Sequence, residues 1–126
     1  MEKVSMSHED YLEAIVMLGG TTEKAVRSVD IATKLGVSKA SVSKALSSLR
    51  EGGFVVQPYY GDVTLTQDGF DYASKVYERH TLLMAFLTKA LGIDAEVAEE
   101  EACTMEHAIS DESFERWKAF IKTLDL

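Results

Sequence analysis

The chain has 126 residues, 46% of them hydrophobic and 27% charged, enough for one core or two small lobes and too few for a multidomain enzyme. No apolar run approaches the roughly 20 residues that span a bilayer, because Thr88 and Lys89 interrupt the stretch from Leu82 to Leu91; the first residues also lack the hydrophobic centre of an export signal, so a cytoplasmic protein without a membrane partner is expected. The net charge of −8 is unevenly spread: residues 1–65 carry seven Lys/Arg against eight Asp/Glu, and residues 66–126 carry six against thirteen.

Ser7-His8-Glu9-Asp10 has the spacing of a capping box, a hydroxyl followed three residues later by a carboxylate, and predicts a helix start. Tyr11, Leu12, Ile15, Val16 and Leu18 then recur at helical spacing until Gly19-Gly20 stops them. Asp10 and Glu13 share a face of that helix near its N-terminus, where solvated carboxylates favour the helix dipole and need no further role. Val29, Ile31, Ala32 and Leu35 predict a short second helix, and Gly36-Val37-Ser38 turns the chain into a third, Ser38 to Glu51, with Ser38 as its cap. Val42, Ala45, Leu46 and Leu49 form the apolar stripe of this helix, leaving Lys39, Ser41, Ser43, Lys44 and Ser47 outward.

A short helix, a glycine turn and a longer helix with a small, polar and cationic outer face is the helix-turn-helix arrangement. Between residues 27 and 50, Arg27, Lys34, Lys39, Lys44 and Arg50 face one acid, Asp30, a local excess that suits phosphates. After Gly52-Gly53, Phe54-Val55-Val56-Gln57, a turn around Tyr60-Gly61-Asp62 and Val63-Thr64-Leu65 read as a hairpin, with Pro58 tolerable on its edge. A hairpin directly behind the second helix of such a motif is a wing. The candidate DNA contacts are therefore Arg27, Ser38, Lys39, Ser41, Ser43, Lys44 and Ser47, with Tyr60 on the wing.

Thr66-Gln67-Asp68-Gly69 opens a long helix reaching about Leu91 and carrying His80, and Gly92 ends it. Asp94 caps a fifth helix, Val97 to about Ile109. Ser110-Asp111 precedes a last one whose stripe of Phe114, Trp117, Phe120, Ile121 and Leu124 belongs to the core or to a dimer interface. The expected fold is mainly α with a small β-hairpin wing: a winged helix-turn-helix DNA-binding domain over residues 1–70 and a helical domain over 71–126.

Cys103 is the one cysteine, which excludes an intrachain disulfide and leaves a thiol that is buried, reactive or metal-bound. With Glu106 and His107 it stands at i, i+3 and i+4, so thiol, carboxylate and imidazole project from one helix face. Together they make a transition-metal set, too soft for magnesium or calcium; the plainer alternative is a buried small cysteine beside an exposed Glu-His pair. His80 taken alone reads as a partly buried helix histidine.

Asp10-Tyr11-Leu12-Glu13-Ala14-Ile15, Val37-Ser38-Lys39-Ala40-Ser41-Val42-Ser43, Leu65-Thr66-Gln67-Asp68-Gly69, Arg79-His80 and Glu101-Ala102-Cys103-Thr104-Met105-Glu106-His107 through Ser110-Asp111-Glu112 occur in that order. In them the chain resembles the iron- and manganese-dependent repressors typified by the diphtheria toxin repressor and the manganese transport regulator. The resemblance implies a metal set of Asp10, Glu13, His80, Cys103, Glu106 and His107, with Glu99 at an ancillary site. Asp10 and Glu13 match the manganese branch, Cys103 the iron branch, and His80, Glu106 and His107 both. Met84 falls where the iron branch has glutamate, so the ancillary site lacks that oxygen. The resemblance stops short of the SH3-like third domain of longer members, implying the short form, with a helical metal-binding and dimerisation domain over residues 71–126.

The expected function is a metal-activated regulator, a repressor of metal-uptake genes, using Fe(II) or Mn(II), with Co(II), Ni(II) or Zn(II) binding in vitro. Its implied partners are a second copy and a palindromic double-stranded operator, on which the recognition helices of a dimer sit roughly 34 to 36 Å apart. A winged-helix regulator sensing a non-metal signal is the alternative. A metalloenzyme with Glu106 as base finds no nucleophile, oxyanion loop or phosphate cradle to support it.

Overall fold

The computed structural model describes residues 6–58 and 61–126, and the chain divides inside a helix into two compact units, Met1–Lys75 and Val76–Leu126. In the first unit, α1 (Met6–Met17), α2 (Ser28–Leu35) and α3 (Lys39–Glu51) are followed by a hairpin of β1 (Val55–Val56) and β2 (Thr64–Leu65). Helix α4 (Gln67–Ala85) crosses the boundary; a π-helical segment (Phe86–Ala90), α5 (Ala95–Ala108) and α6 (Asp111–Thr123) complete the second unit.

Helix α1 already includes Ser7, so the predicted capping box lies inside its first turn instead of ahead of it. Helix α2 ends where Gly36 adopts a left-handed conformation, φ +66°, and its N–H returns to the Ala32 carbonyl. The cap of α3 is the expected one: Ser38 Oγ accepts from the Ser41 N–H at 3.1 Å. Leu12 and Ile15 of α1, Ile31 of α2, and Val42, Ala45, Leu46 and Leu49 of α3 meet Val55, Val63 and Leu65 in one apolar core.

The hairpin is antiparallel, Val55 opposite Leu65 and Val56 opposite Thr64, and is shorter than predicted. Val63, expected in the second strand, bridges instead to Val26 ahead of α2, exchanging both backbone hydrogen bonds at 2.9 Å. Thr66 joins the wing to α4: its hydroxyl donates to the Gly53 carbonyl at 2.6 Å and accepts from the Gly69 N–H at 3.0 Å. Only glycine fits at position 69, where a Cβ would lie 1.8 Å from the Phe54 carbonyl oxygen.

In the second unit Leu83, Leu87, Ala98 and Ala102 form the core, flanked by Met84, Phe86, Met105 and Trp117. The predicted continuous helix to Leu91 changes pitch at Phe86. The Leu91 N–H donates to the Phe86 carbonyl, five residues back, while the Thr88 hydroxyl takes the Met84 carbonyl, a back-bond that loosens a helical ladder. Helix α5 starts two residues before the predicted Val97. The apolar stripe of α6 is divided: Phe114 and Ile121 are buried, whereas Phe120 is 57% exposed. No helix among the described residues is long and apolar enough to cross a membrane.

Candidate metal centre

Helix α5 carries Cys103, Glu106 and His107 on consecutive turns, each offering a ligand atom within 4.8 Å of those of the other two. Cys103 is half-buried. Glu106 is not exposed to water: its side chain is 0% accessible, against the exposed position of the plainer reading. Neither of its carboxylate oxygens has a hydrogen-bond partner among the described residues. His107 Nε2 stands 3.6 Å from Glu106 Oε1, and His80 Nδ1, from α4, stands 3.4 Å from Glu106 Oε2.

Helix α4 delivers His80 because Val76, Leu83 and His80 lie along its buried face. The far nitrogen of His80 is held by Glu99, Nε2 lying 3.0 Å from Glu99 Oε2. A carboxylate on the far nitrogen fixes the orientation of the ring and leaves Nδ1 facing Glu106, the arrangement in which metal-binding imidazoles are commonly held. Met84 packs with the apolar core of this unit.

A carboxylate buried in this way costs free energy unless a positive charge compensates it. Within the second unit, Glu106 groups with the Cys103 thiol and the His107 imidazole on one side and with the His80 imidazole on the other, and its buried oxygens lack hydrogen bonds, a donor set that fits a divalent transition metal. Asp10 and Glu13 lie in the first unit on α1, Asp10 half-buried and Glu13 6% exposed, so the solvated-carboxylate reading fails at Glu13. Glu9, beside Asp10, accepts a 2.6 Å hydrogen bond from Tyr72 Oη, a contact between α1 and α4 that the spacing of apolar residues did not reveal.

Of the predicted DNA contacts, Ser38, Lys39, Ser41, Ser43 and Lys44 are exposed at and along α3 and Ser47 is half-exposed. Ala40 and Ser48, passed over by the sequence reading, are exposed there too. Arg27, at the start of α2, pairs with Asp30 at 3.4 Å on the surface. Tyr60 lies outside the described residues.

A family model described as the iron dependent repressor N-terminal DNA binding domain matches residues 3–63, and one described as the iron dependent repressor metal binding and dimerisation domain matches residues 66–125. A regulator of Methanocaldococcus jannaschii called an uncharacterized HTH-type transcriptional regulator is 37% identical over 94% of this chain and 95% of its own length. The transcriptional regulator MntR of Salmonella typhimurium is 38% identical over 89% of this chain and 70% of its own. A manganese-dependent transcriptional repressor solved in complex with manganese superposes at a TM-score of 0.78, with 33% identity over 91% of this chain; the chain spans about half its length, 52%. The two matched domains, at these identities, place the chain in the iron-dependent repressor family, whose members are DNA-binding transcriptional regulators and not enzymes.

Proposed function

We propose that this chain is a cytoplasmic repressor of metal-uptake genes that binds a palindromic operator as a homodimer when it holds Fe(II) or Mn(II). The observation that carries the reading is the buried Glu106 carboxylate, without hydrogen bonds, facing His80 and His107 beside Cys103. His80 Nδ1, Cys103 Sγ, Glu106 and His107 are the proposed ligands of the second unit, and Glu99, which holds His80 Nε2, is the proposed oxygen of an ancillary site. Asp10 and Glu13 are the proposed oxygen donors of α1. The thiolate favours Fe(II) and the carboxylates suit Fe(II) and Mn(II) alike, so the set leans to Fe(II). A bound dication would supply the positive charge that offsets the burial of the Glu106 carboxylate.

Exposed Lys39, Ser41, Ser43 and Lys44 on α3, with Arg27 and Ser47, are the proposed contacts to bases and phosphates. Tyr60 is proposed for the wing. Metal and DNA affinities are then linked, and each tenfold gain in DNA binding needs about 1.4 kcal/mol of coupling.

The test is an anaerobic Co(II) titration of chelator-stripped protein followed by visible and near-ultraviolet absorption, paired with DNA binding in the presence and absence of chelator. A thiolate-to-cobalt band that saturates and is lost in Cys103→Ser, together with DNA binding that chelator abolishes, is the expected result. Absence of cobalt binding sinks the metal reading; cobalt binding without the band removes Cys103 from the set.

A further inference from the structure

The Arg79 side chain, 12% exposed, is spent on the ends of two helices. Its Nη1 donates to the main-chain carbonyls of Glu106 at 2.9 Å and Ile109 at 2.5 Å, and its Nη2 donates to Asp111 Oδ1 at 2.5 Å. Its Cζ also lies 5.1 Å from the centroid of the Phe114 ring, a cation–π distance. The Glu106 and Ile109 carbonyls belong to the last turn of α5 and its cap, where helical acceptors run out of helical donors and the dipole favours a cation.

The same Glu106 is thus held twice from neighbouring residues of α4: Arg79 takes its main-chain oxygen, and His80 faces its carboxylate at 3.4 Å. We propose that Arg79 is a positioning residue of the metal centre. By gripping the Glu106 carbonyl it sets the depth and rotation of the last turn of α5, so that Cys103, Glu106 and His107 are presented toward His80 before an ion arrives. Three acceptors are served by one planar fork, which an ammonium cannot reproduce. The proposal rests on the metal-binding reading, and its test separates the two.

Full-length wild type, Arg79→Met, Arg79→Lys and Asp111→Asn are stripped of metal, melted by circular dichroism, and titrated anaerobically with Co(II). Arg79→Met is expected to bind cobalt about 10- to 100-fold more weakly than wild type, the cost typical of removing an outer-shell partner, with its visible bands shifted in position or intensity. Arg79→Lys is expected to be weaker than wild type by less. Asp111→Asn, which removes the charge from the Arg79 contact to α6 and so weakens it but keeps the grip on Glu106, is expected to melt lower while keeping wild-type affinity and spectrum. Wild-type affinity and spectrum in Arg79→Met overturn the proposal; if that variant does not fold, wild-type affinity in Arg79→Lys does so. An affinity loss in Asp111→Asn matching its loss of stability also overturns it, reducing Arg79 to a packing residue. A wild-type protein that takes up no cobalt overturns the metal reading itself.

Discussion

Leaving a buried polar group without a hydrogen bond costs about 1 to 3 kcal/mol, and more when it is charged, and Glu106 places both carboxylate oxygens in that condition. Glutamine keeps the shape and removes the charge. In metal-free buffer Glu106→Gln is therefore expected to melt no lower than wild type by circular dichroism. Metal at one hundred times its Kd should stabilise wild type by about 2.7 kcal/mol and leave the variant unmoved. A lower melting temperature without metal would make the carboxylate a structural partner, and a metal-stabilised variant would take it out of the ligand set. The grouping of Cys103, Glu106 and His107 was legible from spacing, because i, i+3 and i+4 share a face on any helix. The burial of Glu106 and the grip of Arg79 were not, since both depend on which helix packs alongside, and spacing within one helix carries no such information.

Among the elements, α3 and its Ser38 cap were readable because stripe, cap and turn all sit within a few residues of one another. The change of pitch at Phe86–Ala90 was not, because its side chains continue an apolar run and only the hydrogen bonds distinguish the two helices. Nor was the pairing of Val26 with Val63, an isolated bridge too short to leave an alternating pattern. The junction of wing and α4 makes a sharper demand. Gly69→Ala would drive a methyl group onto the Phe54 carbonyl, 1.8 Å away, so the start of α4 must withdraw from the chain entering β1. A loss of at least about 1 kcal/mol is expected in urea unfolding; an unchanged midpoint would mean that the junction relaxes freely.

Across the whole molecule, the charge asymmetry visible in the sequence matches the two matched domains: thirteen of the twenty-one acids lie beyond residue 65, in the part whose family model is described by metal binding and dimerisation. The second unit also exposes apolar surface, Phe120 on α6 at 57%, Leu91 at 56% and Val97 at 48%, of the kind that a second subunit covers. Phe120→Glu is accordingly expected to lower the mass measured by sedimentation equilibrium from dimer to monomer; a mass that does not change would place the subunit contact elsewhere.

Trp117, the one tryptophan, stands edge-on to Phe86 with ring centroids 5.7 Å apart, and both lie in the second unit. Its emission is therefore an optical tag on one half of the chain, whereas far-ultraviolet dichroism averages over both. If the halves melt separately, the two signals will trace different curves, and a single transition temperature will not describe the protein.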